Sequence, residues 1–186
     1  MTTEERQPWY IYYKEGLRPP YFMQFSTRSQ SEIHDAFLAW TGQRVGLLAD
    51  TRFQVTNEKL LREYAWWWRQ VAHPWMTYES EDRDCDNFAR AFHGDIGKWW
   101  GWCAAPNLLV WSSYLGGHAY NLHIAFGDVA AGDRELKVFF IEPQTGEVRL
   151  LEKDHFVQYQ PWLVMVNGKP EALTSVGNRV GGCCGN

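Results

Sequence analysis

Three side chains in the sequence have the chemistry of a thiol-dependent hydrolase. Cys85 supplies a thiol, His118 an imidazole and Glu142 a carboxylate, in that order along the chain. A thiol attacks as its thiolate, an imidazole can take up the proton, and a third group must orient that imidazole. The sequence therefore predicts Cys85 as nucleophile, His118 as its base and Glu142 as the group that orients the base.

The elements expected around these residues fit the same chemistry. Cys85 stands where a helix should begin, after the polar run 79–84, and the unpaired N–H groups of a helix start favour a thiolate. His118 opens a predicted strand after Gly116 and Gly117, which let a substrate backbone come close. Glu142 closes the next predicted strand. On an antiparallel pair of strands, His118 and Glu142 are expected side by side.

Gln144 is a fourth candidate. If the strand that ends near Glu142 continues, Gln144 projects from the same face, and its amide can donate a hydrogen bond to an oxyanion. Each candidate also has a plain structural explanation, because a single Cys on an apolar helix face is usually a small buried hydrophobe. The order of the residues is the stronger argument. No other histidine follows a glycine pair: His34, His73, His93, His123 and His155.

Two carboxylates flank the proposed nucleophile. Asp84 and Asp86 are unfavourable neighbours for a thiol that must ionise, since like charge raises its pKa. Asp86 can complement the helix dipole, or Asp84 can be the N-cap. A third interpretation is a hard divalent cation such as calcium, held by Asp84, Asp86 and Asn121. A bound cation reverses the local charge and favours the thiolate.

Three helices and a later set of strands are expected to position these residues. The predicted helices cover residues 29–40, with a capping box of Ser29 and Glu32, residues 56–71, with Thr56 as cap, and residues 85–96. The second helix is expected to bury an apolar stripe formed by Leu60, Tyr64, Trp67 and Val71. Helices that precede strands, without alternation, predict an α+β fold.

The strands are expected after residue 106. They cover residues 108–111, 118–126, 136–142, 148–151 and 163–166, and Asn167-Gly168 is a strong hairpin signal. This predicts one domain over residues 1–186, with helices first and then an antiparallel sheet.

The composition of the chain argues against several classes of function. The 186 residues are 45% hydrophobic and 22% charged with a net charge of -4, which is typical of one globular domain and gives no support for nucleic-acid binding. The first 16 residues lack a signal-peptide core, and no apolar run reaches the ~18 residues of a membrane span. We therefore expect a cytoplasmic protein with no membrane contact. Its four cysteines then form no disulfide framework, and residues 177–186, with Cys183 and Cys184, are expected to be a mobile tail.

Aromatic content is high, at 16% with 11 tryptophans. Packing in and near the core is the first interpretation, because each buried aromatic removes a large apolar area from water. An aromatic-lined cleft or contact surface is the alternative.

At these motifs the sequence resembles the C-terminal domain of the mushroom chimerolectins of the Marasmius agglutinin type, which are papain-like, calcium-dependent cysteine proteases. The resemblance rests on Asp-Cys-Asp at 84–86, His-Ala-x-Asn at 118–121 and Glu-Pro-Gln at 142–144, and it covers residues 45–170 or so. It implies a papain-like core. Two departures stand out: Tyr78 occupies the place of a family tryptophan, and the chain has no room for the N-terminal sugar-binding trefoil.

The resemblance also implies roles for single residues. Cys85, His118 and Glu142 would be catalytic and Gln144 would act at the oxyanion site. Asp84 and Asp86 would be the first candidates for calcium.

The function expected from the sequence is hydrolysis of peptide or isopeptide bonds through a thioester on Cys85, with a protein or peptide as substrate. Two alternatives stay open. One is a transglutaminase or deamidase that acts on glutamine side chains by the same thioester chemistry. The other is a catalytically silent, calcium-stabilised binding module whose tryptophans form the contact surface.

Overall fold

The described part of the chain folds as a mixture of helices and antiparallel sheets. The computed structural model describes residues 26–42, 51–80, 83–99, 107–112, 117–152, 161–166 and 169–172. The helices are α1 (Gln30–Thr41), α2 (Glu58–Trp67), continued by a π-helix (Trp68–Ala72), and α3 (Cys85–Trp99). The strands are β1 (Ser26–Ser29), β2 (Arg52–Val55), β3 (Asn107–Ser112), β4 (His118–Phe126), β5 (Leu136–Glu142), β6 (Glu147–Leu150), β7 (Pro161–Val166) and β8 (Lys169–Ala172). The predicted α+β class is confirmed.

Six strands form the main sheet, in the order β6-β5-β4-β3-β7-β8, and every neighbouring pair is antiparallel. Strands β7 and β8 pair from Val166 opposite Lys169, which suits the predicted two-residue hairpin, although Asn167 and Gly168 lie outside the described residues. Strands β1 and β2 form a separate two-stranded sheet. The sequence does not predict this small sheet, because each strand has four residues and lacks a long alternating pattern.

The main sheet is buried on both faces. Side chains that alternate along β4 and β5, such as Tyr120 and Phe140, pack against α1 through Ile33 and Phe37. The intervening side chains, such as Phe139, pack on the opposite face against α2, the π-helix and α3. Layers of helix on each side explain why β4 is almost continuously buried along its length.

The start of α3 comes especially close to the sheet. Ala89, Leu109 and Ala119 form a small buried cluster, and the partly buried Cys85 packs against it. Two of the three buried residues are alanines, so the helix that begins at Cys85 lies close to β3 and β4. This cluster brings the thiol to the end of the sheet where β4 begins.

The first two helices differ in how well the sequence predicts their starts. For α1 the predicted capping box is confirmed, since Ser29 Oγ accepts from the Glu32 N–H and Glu32 Oε2 accepts from the Ser29 N–H at 2.7 Å. For α2 the predicted cap Thr56 is wrong. Asn57 caps the helix by accepting from the Leu60 N–H at 2.9 Å. Thr56 is fully buried, and its carbonyl accepts from the Phe126 N–H.

The predicted stripe on the second helix is also partly wrong. Tyr64 and Trp67 are buried as expected, but Leu61 is buried where the sequence predicts Leu60. The regular helix ends at Trp67 and a π-helical turn follows, in which Val71 is partly buried and packs against the same cluster, while Trp68 and Ala72 are buried.

The tryptophans divide between the two interpretations. Trp40, Trp67 and Trp68 are buried, whereas Trp66 and Trp75 are 60% and 62% exposed. Within the described residues, no helix combines the length and the apolar character needed to cross a bilayer.

Candidate functional site

The thiol lies at the first residue of a helix. The chain before it turns back on itself, with Glu79 and Arg83 exchanging backbone hydrogen bonds, and α3 then begins at Cys85. The Cys85 thiol is partly buried, and the Ala119 N–H points at its sulfur with N to Sγ at 3.4 Å. Cys85 is the only cysteine among the described residues. The N–H groups of the first helical turn and the Ala119 N–H together favour negative charge on this sulfur.

The imidazole and the carboxylate meet at the end of the sheet. Strand β4 begins at His118 where its neighbour β5 ends at Glu142, and both side chains lie on the α1 side of the sheet. His118 Nε2 is 2.6 Å from Glu142 Oε2, and the two side chains are 14% and 16% exposed. Cys85 also acts on the His118 ring, since it raises the pKa of the imidazole. Nε2 is engaged by Glu142, so Nδ1 is the ring nitrogen left to serve the thiol.

These contacts change the protonation of His118. Burial lowers the pKa of the imidazole, but the hydrogen bonds to Cys85 and Glu142, and the charges of both, raise that pKa to about 9. At neutral pH the ring is therefore held in its protonated form. A protonated ring is the partner that a thiolate requires.

The turn after β5 supports the carboxylate. Residues 143–146 form the connection to β6, in which the Thr145 and Gly146 N–H groups both reach back to the Glu142 carbonyl. The Gln144 N–H donates to Glu142 Oε1 at 3.2 Å. The expectation that the strand continues through Gln144 is wrong, because β5 ends at Glu142. Gln144 is near Glu142 through its backbone, and strand alternation does not determine where its side chain points.

The two carboxylates beside the thiol lie close to each other. The Asn87 amide, oriented to donate, is 2.8 Å from Asp84 Oδ1 and 3.2 Å from Asp86 Oδ1. Burial raises the pKa of Asp86, and the hydrogen bond and charge of Asp84 raise it further, to about 6, against the opposing effect of Arg90 at 2.9 Å. Two carboxyl groups in repulsive contact can serve as two oxygen ligands of a hard cation.

Asn121, the third predicted ligand, lies on the buried face of β4 that packs on α3, two residues after Ala119. Its Nδ2 donates to the Leu108 carbonyl, and its Oδ1 is buried without a hydrogen-bond partner among the residues that the structure describes. No described hydrogen bond joins Asn121 to Asp84 or Asp86. Among the described residues, no three His, Cys, Asp or Glu side chains form a metal-binding group. The donors that the described structure brings together are therefore the two carboxylates, and Asn121 lies on the strand that packs on α3.

The other described histidines occupy different settings. His123 is fully buried, and burial followed by the charge of His93 lowers its pKa to about 3. Asn107 lies between these two rings, with hydrogen bonds of 3.0 Å to His93 and 3.3 Å to His123. His73 is bound to Asp95 at 2.8 Å. None of these rings accompanies a thiol in the described structure, whereas His155 lies outside the described residues.

Two contributors to the site have no signal in the sequence. The Ala119 N–H is a backbone group, and nothing in an alanine indicates such a role. Arg69 lies 75 positions from Gln144, yet its Nε donates to the Gln144 carbonyl at 2.6 Å. A charged residue on a predicted helix is usually assigned to solvent, so no sequence signal marks this contact.

Comparison with known proteins gives a fold likeness. No family model and no curated protein matches the sequence. A crystal structure of the Polyporus squamosus lectin, bound to the human-type influenza-binding epitope Neu5Acα2-6Galβ1-4GlcNAc, is similar with a TM-score of 0.54 and 24% identity, over 74% of this chain and 49% of that chain. The structure of a complex between PSL1a and E64 is similar with a TM-score of 0.54 and 23% identity, over 74% of this chain and 50% of that chain.

The chain thus spans about half the length of the solved structures that it matches. At these identities, the likeness establishes a shared fold.

Proposed function

We propose that the chain is a calcium-dependent cysteine hydrolase with a papain-like core, which cleaves peptide or isopeptide bonds through a thioester on Cys85. The observation that carries the proposal is the His118 ring, which is 2.6 Å from Glu142 and whose pKa is raised by both Glu142 and Cys85. The Cys85 sulfur lies 3.4 Å from the N of Ala119, the residue after His118, so nucleophile, base and the group that orients the base meet at one end of the sheet. This is the geometry that covalent catalysis by a thiol requires.

The reaction uses one proton relay. In the resting site His118 already holds the thiol proton, and the Cys85 thiolate bonds to the substrate carbonyl carbon. The tetrahedral intermediate collapses as the carbon–nitrogen bond breaks, and the leaving amine takes the proton from His118. Water that is deprotonated by the now neutral His118 then attacks the thioester, which releases the acid and restores the thiolate beside the protonated ring. Glu142 keeps the ring oriented throughout and stabilises its charged form.

The oxyanion needs donors near the sulfur. The Cys85 N–H belongs to the first turn of α3 and has no partner within that helix, so it is available to an oxyanion. We assign the second donor to the Gln144 side chain, which belongs to the turn that supports Glu142. This assignment of Gln144 rests on that proximity and on the resemblance of Glu-Pro-Gln to the family motif.

Calcium dependence rests on the acidic pair. Asp84 and Asp86 would hold the ion through their carboxylates, and Asn121 stays the candidate for an amide oxygen ligand. A bound cation would offset the repulsion between the carboxylates and favour the neighbouring thiolate. The side chains of Asp84 and Asp86 flank Cys85 in sequence, so this effect acts at the nucleophile itself.

The test is the rate at which iodoacetamide alkylates Cys85, read by peptide mass spectrometry with calcium and with EDTA. We expect fast labelling of Cys85, selective over Cys103 and the Cys183–Cys184 pair, that collapses in EDTA. If EDTA does not change the labelling rate, the calcium dependence is rejected and the proposal of a hydrolase stands. Labelling no faster than that of a free thiol would overturn the hydrolase. E64 at increasing concentration should protect Cys85, because the similar PSL1a forms a complex with it.

Activity itself is measured on a denatured protein mixture. New amino termini that appear with the wild type and not with Cys85→Ala would support hydrolysis. Ammonia release from glutamine without new termini would instead identify the transglutaminase or deamidase chemistry.

A binding module is the second candidate, and the lectin likeness together with three exposed aromatics favours it. Trp66, Trp75 and Tyr78 are about 60% exposed and available for contact. If this candidate is correct, the chain retains the trisaccharide Neu5Acα2-6Galβ1-4GlcNAc on an immobilised-glycan surface, and Cys85→Ala retains it equally. Absence of glycan retention together with fast Cys85 labelling would reject the binding module.

A further inference from the structure

Arg69 occupies the junction between the two halves of the candidate site. It lies in the π-helix and is partly buried, and its guanidinium donates from Nε to the Gln144 carbonyl at 2.6 Å and from Nη1 to the His73 carbonyl at 3.0 Å. A planar guanidinium can hold two acceptors in fixed directions at once, whereas an ammonium group cannot. Arg69 therefore fixes the turn after β5 relative to the helix layer.

That turn leads directly to the imidazole. The Gln144 N–H donates to Glu142 Oε1, and Glu142 Oε2 in turn binds His118 Nε2. Arg69 binds the carbonyl of the same residue. Gln144 thus accepts a hydrogen bond from Arg69 in the helix layer and donates one to the Glu142 carboxylate.

Arg69 also touches the helix that carries the thiol. Its guanidinium carbon lies 5.8 Å from the centre of the Phe88 ring, and Phe88 follows Cys85 by three residues on α3. Cations at this distance from an aromatic face are attracted to it. The same side chain therefore contacts the element of the nucleophile and the turn that supports Glu142.

The turn has little room to move toward the helix. Gly146 has φ of +78°, and a Cβ at this position would meet the Ala65 carbonyl oxygen at 3.0 Å and the Arg69 Cβ at 3.1 Å. The backbone of the turn therefore lies directly on α2 and the π-helix. Close contact at Gly146 and the hydrogen bond from Arg69 to the Gln144 carbonyl hold the turn at two points.

We propose that Arg69 is a positioning residue, which holds the turn after β5 against the helix layer and so aligns Glu142 with His118. The inference rests on the proposed function, because it assigns a role within the same site. Arg69 acts through Gln144 and Glu142 and touches no reacting atom.

The chain offers a matched control. Arg62 lies on α2, pairs with Glu58, and donates to the Val148 carbonyl of β6, so it ties the same hairpin to the same layer of helices. It does not contact the turn of residues 143–146 in the described structure. Arg62→Gln and Arg69→Gln therefore both remove a bond between hairpin and helix, but only the second releases the support of Glu142.

The experiment compares wild type, Arg69→Gln, Arg69→Lys and Arg62→Gln by NMR titration of the His118 ring and by the pH profile of Cys85 alkylation. We expect both Arg69 variants to lower the His118 pKa from about 9 by one unit or more, toward the ordinary 6.5. Alkylation of Cys85 at pH 7.5 should fall with the protonated fraction of the ring, by about tenfold where the pKa reaches 6.5. Arg62→Gln should leave both readouts unchanged. Urea unfolding confirms that each variant is folded.

Three outcomes overturn the inference. Folded Arg69 variants that keep the His118 pKa and the labelling profile would show that the turn needs no such support. Full rescue by Arg69→Lys would show that charge, and not the guanidinium geometry, is what matters. An equal shift in Arg62→Gln would show a general loosening of the hairpin.

If Arg69→Gln does not fold, Gly146→Ala displaces the same turn from the other end and should lower the His118 pKa in the same direction; an unchanged pKa in folded Gly146→Ala would overturn the inference. Wild-type Cys85 that labels no faster than a free thiol would overturn the proposed function, while the NMR titration still tests Arg69.

Discussion

Glu142→Gln removes the charge next to His118 with little change in shape. In the wild type, burial lowers the His118 pKa, while Cys85 and Glu142 raise it to about 9 by hydrogen bonds and charge. Glutamine keeps a hydrogen-bonding group at the same distance but carries no charge, so the pKa is expected to fall toward 6.5. At pH 7.5 the protonated fraction of His118 then drops from nearly complete to about one tenth, a change of roughly tenfold.

The alkylation rate of Cys85 should follow this fraction, because the protonated ring stabilises the thiolate. Near pH 5.5 the ring is protonated in both proteins, so the ratio of wild-type to variant rate is expected to be close to one there, and it rises to about tenfold at pH 7.5. Above about pH 8.5 an ordinary thiol ionises without help from an imidazole, so the ratio is expected to fall again. The raised pKa of His118 also stabilises the folded wild type: its contribution to the free energy of unfolding is complete below pH 6.5 and is lost as the pH rises through about 9.

Glu147→Gln is the control. Glu147 stands directly opposite Glu142 on β6, is exposed, and pairs with Arg149, so its removal changes the charge of the hairpin without touching His118. Its labelling ratio should be close to one at every pH. A Glu142→Gln ratio that stays flat from pH 5.5 to pH 9.5 would refute the reasoning, because Glu142 would then have no part in holding the ring protonated.

Three further predictions test the packing and the acidic pair. Gly146→Ala should lower the free energy of unfolding in urea more than Gly132→Ala: both have positive φ, worth about 1–2 kcal/mol each, but only a Cβ at Gly146 meets the α2 backbone. Phe92→Ala should cost about 3–5 kcal/mol because the ring is fully buried, whereas exposed Trp66→Ala should cost less than about 0.5 kcal/mol; equal losses would contradict the core assignment. Asp86→Asn in EDTA should raise the free energy of unfolding by about 1 kcal/mol at pH 7.5 and by little near pH 4. The reason is the raised Asp86 pKa of about 6: such a carboxyl favours folding below pH 3.8 and loses that contribution as the pH rises through 6. A gain in thermal midpoint that does not depend on pH would contradict the repulsion.

Much of the site follows from local sequence patterns. The strands that begin at His118 and end at Glu142 have long, apolar, alternating or β-branched runs, so their bounds are predicted correctly. The helix start at Cys85 is predicted because a polar run precedes an apolar face of period 3.6. Antiparallel pairing of β4 and β5 then brings His118 and Glu142 together, as the sequence suggests.

What the sequence does not provide are features that depend on distant contacts. Thr56 and Asn57 both have side chains suited to capping a helix. Asn57 is the cap, whereas the Thr56 carbonyl accepts a hydrogen bond from the Phe126 N–H of β4. The π-helix changes the buried face after Trp67, and local propensity does not mark such a turn. The hydrogen bond from Arg69 to the Gln144 carbonyl connects residues 75 apart in sequence, and it exists only once the hairpin has packed on the helices.

Ala89 and Ala119, which pack against Cys85, set the distance between helix α3 and the sheet, and these two layers carry different reactive groups. His118 and Glu142 project toward one side of the sheet, while Cys85 arrives on a helix from the other side, with Ala89 and Ala119 between them. A single added methylene at either alanine would push the helix away from the strands, because close-packed interiors transmit such changes. The thiol and the imidazole can thus be separated by a residue that carries no functional group. In a set of related chains, side-chain size at these two positions would distinguish proteins that keep the thiol within reach of its base from proteins that retain only the scaffold.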